Sequence, residues 1–211
     1  MNICDIHTHQ HPEKPGTGIV QLTPDYFKPQ AGHYYSVGLH PWDIDNNWPI
    51  LMAKLGVMAL HPQVVMIGEA GIDKKNGRAP LTQQIEVFRQ HVRLSELTHK
   101  PLIIHCVKAV DELIALRKET RATLPWVLHG FRGGAEQAQQ LHRTGILVSI
   151  GEHYNEQLIH TLPASNLLLE SDDLGDIDTT YRLVSNALGI DEKRLHNMVN
   201  QNICRVLNLE P

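Results

Sequence analysis

The sequence predicts an α/β fold, a compact (β/α)8 barrel in which the early helices are shortened or missing. Three observations predict it: eight short apolar runs, helical periodicity between most of the later ones, and polar side chains where runs end. Six of the runs stand about one βαβ repeat apart, roughly 30 residues. Their terminal side chains are therefore expected at one end of a parallel sheet, where active sites of such sheets lie.

The first strand is read at Asn2-Ile3-Cys4-Asp5-Ile6, followed by His7 and His9. The second is Gly18-Ile19-Val20-Gln21-Leu22, and the third is Tyr35-Ser36-Val37-Gly38-Leu39, followed by His40. Residues 10–18 and 23–32 are rich in Pro and Gly and too short for ordinary helices, so the first two units lack them. The fourth strand, Val64-Val65-Met66-Ile67-Gly68, is followed by Glu69. A helix is expected over 80–98, where Ile85, Phe88, Val92 and Leu97 lie on or near one face. Leu102-Ile103-Ile104 precedes His105 and a helix over 111–124; Trp126-Val127-Leu128 precedes His129 and a helix over 135–144 that stops at Gly145. Ile146-Leu147-Val148-Ser149-Ile150 is followed by a helix over 152–162, and Leu167-Leu168-Leu169 leads to Asp172. Helices over 179–188, stopped at Gly189, and over 191–206 end the series. Eight strands are the number of a closed barrel, and an open or incomplete barrel is the alternative.

A chain of 211 residues suits a single domain over 1–211, at the low limit of a fold that usually runs to about 250. Its net charge of −4 gives no whole-surface basic field for nucleic acid, so a polyanionic substrate must be held locally. Cys4, Cys106 and Cys204 are few, odd in number and form no CxxC pair, as expected of buried thiols in a reducing compartment. A strand begins almost at once with no basic segment and apolar core ahead of it, and no apolar stretch reaches the roughly 18 residues of a membrane span. The expectation is a soluble, cytoplasmic protein with no membrane contact and no obligate protein partner.

Fourteen histidines are many for this length, and several stand where strands end. His7 and His9, two apart on a strand, share a face and can reach one ion. Glu69 between glycines can bridge two cations, and His105 and His129 can supply the second. Asp172 can ligate and can accept a proton, with Asp173 as the competing assignment. Each feature alone is compatible with an ordinary hydrogen-bonded side chain. Their joint occurrence, in the order HxH, Glu, His, His, Asp, points to a divalent-metal hydrolytic centre. The ligand types leave zinc, manganese, iron and magnesium open.

The motifs Asp5-Ile6-His7-Thr8-His9, Val37-Gly38-Leu39-His40-Pro41, Ile67-Gly68-Glu69-Ala70-Gly71-Ile72-Asp73, Ile104-His105-Cys106, His129-Gly130-Phe131-Arg132-Gly133 and Leu169-Glu170-Ser171-Asp172 resemble those of the TatD family, as do Gln84, Phe88 and Asn202. That family comprises metal-dependent hydrolases, a branch of the amidohydrolase-like TIM barrels usually described as deoxyribonucleases. The resemblance covers nearly the whole chain. It implies two divalent ions (Mg, Mn or Zn), one surrounded by His7, His9, Glu69 and Asp172 and the other by Glu69, His105 and His129. It further implies that His40 contacts the substrate phosphate and that Asp172 accepts the proton, making Asp172 and Glu69 the catalytic pair.

Arg132 and Lys108 are the candidate phosphate contacts at the rim; Gly133 and Gly134 could add backbone N–H groups, or simply form a turn. The chain departs from the family pattern at the rim. Val107 stands where Arg is frequent, with Lys108 one place later, and Trp42 stands where His is common. The segment from Leu174 to Asp178 is short. The expected activity is a dinuclear phosphodiesterase or deoxyribonuclease acting on DNA ends or single strands. An aromatic content of 5% counts against a long base-stacking groove and favours a short substrate. The alternatives are a hydrolase of carboxylic esters, amides or lactones on the same centre, and a metal-binding barrel without turnover, which retention of Asp172 argues against.

Overall fold

Runs of Ile, Val and Leu buried on both faces form the strands, as expected where helices and loops cover a parallel sheet. In the computed structural model, which describes residues 2–209, the strands are β1 (Asp5–Thr8), β2 (Gly18–Leu22), β3 (Tyr34–Val37), β4 (Val64–Asp73), β5 (Leu102–Val107), β6 (Trp126–Leu128), β7 (Ile146–Ile150) and β8 (Leu168–Leu169). Met1, Glu210 and Pro211, the ends of the expected single barrel, lie outside the described residues. The strands follow one another in sequence order and every pairing is parallel. Asp172 closes the ring: its N–H donates to His7 O at 3.0 Å and its carbonyl accepts from His9 N–H at 3.1 Å. The barrel is therefore joined through candidate site residues.

Among the described residues seven helices surround it: α1 (Trp48–Met58), α2 (Leu81–Thr98), α3 (Val110–Thr120), α4 (Ala135–Arg143), α5 (Glu156–Ile159), α6 (Ile177–Leu188) and α7 (Glu192–Leu207). Side-chain oxygens of Asp176 and Asp191 cap the N-termini of α6 and α7, and Gly189 ends α6 at φ 64°. None of the described helices is long and apolar enough to cross a membrane.

The connections from β1 to β2 and from β2 to β3 carry no helix, as the sequence predicts. Loop side chains cover that wall instead. The Tyr35 hydroxyl accepts from Gln30 N–H at 2.8 Å and lies 3.2 Å from His11 Nε2, and the His11 and His33 rings meet edge to face. Tyr181 from α6 and Asn200 from α7 donate to the carbonyls of Cys4 and Ile3 just before β1.

Four elements differ from the sequence reading. Helix α1 has no counterpart in it, because apolar residues occur on all its faces: Leu55 is buried while Ile50 and Val57 are exposed, which erases the periodicity. The helix expected over 152–162 shrinks to α5, with a 3-10 turn at Ala164–Asn166 beyond it, and the one expected to 124 ends at Thr120, where Arg121 turns left-handed. Strand β4 runs five residues beyond Gly68, to Asp73.

Candidate metal centre

Because β4 continues, Glu69 lies within its strand rather than after it, and His7 and His105 likewise lie inside β1 and β5. Glycines make this possible. The register between β4 and β5 shifts between Ile67 and Ala70, and there the two backbones come very close. A Cβ at Gly71 would stand 1.9 Å from the His105 carbonyl, and one at Gly68 2.2 Å from that of Ile103. Larger residues would push apart the strands that carry Glu69 and His105.

The structure brings His7, His9, His40, Glu69, His105, His129 and Asp172 together around the Glu69 carboxylate. His7 Nε2 lies 3.4 Å from Glu69 Oε2 and 3.6 Å from Asp172 Oδ1; His9 Nε2 lies 3.5 Å from each of the same oxygens. These spacings are long for hydrogen bonds but suit donors that share an ion. Two ligand atoms each about 2.1 Å from a tetrahedral ion are roughly 3.4 Å apart. His7 Nε2 is fully buried and has no hydrogen-bond partner, a costly state unless a cation takes its lone pair. The other carboxylate oxygen, Glu69 Oε1, faces His129 Nε2 at 2.7 Å, His105 Nδ1 at 2.9 Å and His40 Nε2 at 3.2 Å. Glu69 thus has one oxygen toward each of two donor groups, and this cluster fits metal binding. His40, expected only as a phosphate contact, stands within ligand distance of the second group.

Electrostatics agree with that fit. Burial acts to raise the Glu69 carboxyl, but His129 beside it and hydrogen bonds from His105, His129 and His40 hold it well below its usual range. Burial likewise opposes ionisation of Asp172, yet His9 and the neighbouring His129 and His7 keep it low, so it stays ionised. His9 is pushed up to about 10 by the Asp172 and Glu69 carboxylates beside it. Asp173 reaches only His9, at 4.0 Å, and its side chain is exposed. Asp172 therefore occupies the shared position.

Three buried carboxylates support the cluster, and the sequence reading gave them no role. Asp73 Oδ2 lies 3.2 Å from His105 Nε2 and accepts Trp42 Nε1–H at 2.7 Å; its Oδ1 accepts the N–H groups of Lys75 and Asn76, both at 2.8 Å. Burial works against ionisation of Asp73, but these donors bring it down to about 2. Glu170 Oε1 faces His129 Nδ1 at 3.4 Å, and Glu170 also accepts from Gly130 N–H and the Ser149 hydroxyl. A carboxylate on the far ring nitrogen fixes tautomer and orientation, leaving Nδ1 of His105 and Nε2 of His129 to face Glu69. Asp5 accepts from His7 N–H, Ser171 N–H and the Ser171 hydroxyl, which ties β1 to the β8 end. A signal was present: each of the three stands within two or four residues of a candidate ligand on the same strand or its extension.

Toward solvent, a cleft of about 340 Å³ lined by His9, His40, Trp42, Glu69, His105, His129 and Asp172 opens over the cluster. Trp42 packs edge to face on His40, with centroids 4.7 Å apart, so the residue that replaces a family His becomes part of the wall. Lys108 and Arg132 do not touch the donor groups; they are exposed and line an adjoining groove of about 510 Å³ that also contains His105, His129 and Asp172. Gly134 is the N-cap of α4, and Gly133 lies on the groove wall beside the Phe131 ring.

A family model described as TatD related DNase matches residues 25–208. The chain is 29% identical over 147 residues to the metal-dependent hydrolase YabD of Bacillus subtilis, covering 66% of this chain and 58% of that one. It is 30% identical over 151 residues to the protein named 3'-5' ssDNA/RNA exonuclease TatD of Klebsiella pneumoniae, covering 67% of this chain and 57% of that one. The chain thus spans less than two thirds of the length of these relatives. The crystal structure of a TatD homologue, YJJV, from Escherichia coli shares the fold over 99% of both chains, with a TM-score of 0.83 and 18% identity. By the extent of the family match, the chain belongs to the family of TatD-related DNases.

Proposed function

We propose that this chain is a divalent-metal-dependent phosphodiesterase that acts on ends of single-stranded nucleic acid. The observation that carries the reading is Glu69, whose two carboxylate oxygens each face a separate histidine group, with ionised Asp172 beside the opening. On this reading His7, His9, Glu69 and Asp172 hold one divalent ion and Glu69, His105 and His129 the other, with magnesium, manganese and zinc as the candidates. When bound, such a pair supplies Lewis acidity toward a phosphoryl oxygen and toward water. Asp172 takes the proton that water loses at its carboxylate. His40 orients the scissile phosphate over Glu69, and Trp42 screens that face from solvent. The cleft and the adjoining groove are small and local, which suits a strand end better than a duplex. The name of the Klebsiella relative supports the same substrate class.

The test uses metal-stripped protein resupplied separately with magnesium, manganese or zinc, assayed on a short single-stranded DNA and on an aryl phosphodiester beside Asp172→Asn. The expected result is metal-dependent cleavage that the variant loses while keeping its fold. Bound metal with neither substrate cleaved, in any of the three, would refute the phosphodiesterase and direct the search to ester and amide substrates.

A further inference from the structure

Three cations converge on the 510 Å³ groove beside the centre: Lys75, Lys108 and Arg132. Among the described residues none of them has an ion pair, whereas Lys74, next to Lys75, is paired with Glu112 at 2.7 Å. Two backbone features place the lysines. The Asp73 carboxylate that braces His105 also accepts the N–H groups of Lys75 and Asn76, so the turn that carries Lys75 is pinned to the ligand shell. Lys108 adopts a left-handed conformation at φ 54°, in the short link between β5 and α3. A non-glycine residue there is strained by roughly 1 kcal/mol or more, and such strain gathers at functional sites. The left-handed turn also resolves the displacement of the cation from position 107: Lys108 lines the same groove as Arg132 although it sits one place later in the chain.

From this arrangement we infer that the groove is a second phosphate subsite, selecting a substrate with another phosphate one nucleotide from the scissile bond. The inference rests on the phosphodiesterase reading for what happens at the centre, but the binding it describes does not require turnover. A volume of about 510 Å³ lies within the range of small-molecule sites, so the groove accommodates a nucleotide unit. Asn76 and Gln137 add polar groups, and Val107 supplies an apolar wall. Three unpaired cations match a phosphate of one to two negative charges. The site thereby meets the requirement set by the chain's net charge of −4, that a polyanion be held locally.

The experiment measures binding of thymidine 3',5'-bisphosphate and thymidine 5'-monophosphate by calorimetry to the metal-loaded full chain and to Lys75→Gln/Lys108→Gln. Wild type is expected to bind the bisphosphate about tenfold more tightly or better, the effect of one further charge-assisted contact, with the ratio falling to about twofold in the variant. Metal content, measured alongside, stays equal in the two proteins. Equal affinity of wild type for the two nucleotides, or an undiminished preference in the variant, overturns the subsite. Failure of wild type to hydrolyse an aryl phosphodiester while the bisphosphate preference persists overturns the proposed reaction and leaves the subsite standing.

Discussion

His91 makes the stability of this barrel dependent on acid in a calculable way. Its imidazole is fully buried on α2; Nδ1–H donates to the Val87 carbonyl at 2.8 Å, and Nε2 accepts Leu39 N–H at 3.0 Å. Both nitrogens are used only in the neutral form, and burial brings the group down to about 4 from its ordinary 6.5. The folded state thus binds fewer protons than the unfolded state. The contribution of His91 is fully present above its ordinary value and is lost as pH falls through 6.5 toward 4. At about 1.36 kcal/mol per unit, acidification from near pH 7.5 to near pH 4.5 removes about 2 to 3 kcal/mol. Asp5 works in the opposite sense: burial pushes its carboxyl up to about 7, so its contribution falls as pH rises. Only the difference between wild type and His91→Gln isolates the histidine. Urea midpoints followed by tryptophan fluorescence in chelator at the two pH values measure it. Wild type is expected to lead by about 1–3 kcal/mol at the higher pH, from the buried hydrogen bonds, and that lead shrinks by about 2 to 3 kcal/mol at the lower. A lead that stays constant within about 0.5 kcal/mol would sink the argument, since the expected change is several times larger. The link reaches the centre as well, because Leu39 immediately precedes His40.

Glu170→Gln keeps an acceptor for Gly130 but removes the charge facing His129 Nδ1; metal affinity in titrations of stripped protein should fall about 10- to 100-fold with the circular dichroism spectrum unchanged. Unaltered affinity would show that His129 needs no carboxylate behind it. Loading the stripped protein at free metal about 100 times its dissociation constant should stabilise it by about 2.7 kcal/mol, read as a shifted urea midpoint. No shift, with metal shown to be bound, would mean that the unfolded chain holds the ion equally well. Gly71→Ala should destabilise by more than about 3 kcal/mol or yield insoluble protein, because the added methyl meets the His105 carbonyl at 1.9 Å. A midpoint near that of wild type would show that β4 and β5 can separate at little cost.

The barrel was legible because burial on both faces of a parallel sheet writes each strand as an apolar run, and because polar side chains at or near the ends of those runs all face one opening. Six of the seven connections between strands could be judged as helical or not from pattern alone. Helix α1 could not, since its apolar residues face both core and solvent. Nor could the depth of Glu69 in β4: an apolar-to-polar transition reads as a strand end, whereas here strand pairing continues past a buried carboxylate because Gly68 and Gly71 let β5 close against it.

The same limit explains why the supporting carboxylates went unassigned. Their nearness to Glu69 and Asp172 in sequence marks Asp73 and Glu170 as neighbours of the site but gives neither a role; each acquires its role through a contact at long sequence separation, Asp73 with His105 and Glu170 with His129. Lys108 illustrates the converse. Spacing along a strand would send residues 107 and 108 to opposite faces, but a left-handed residue after β5 breaks that alternation and returns the lysine to the groove. Ligands carried by regular strands follow from period and order. Rim residues depend on single backbone angles in short loops, and in this chain those loops are where the family pattern is abandoned. The centre and the rim are therefore under different constraints. Donors at and near the strand ends are held by the barrel, and Trp42 is tied to them through Asp73, while the side chains of Lys75 and Lys108 can change what is presented to the cleft without disturbing the barrel.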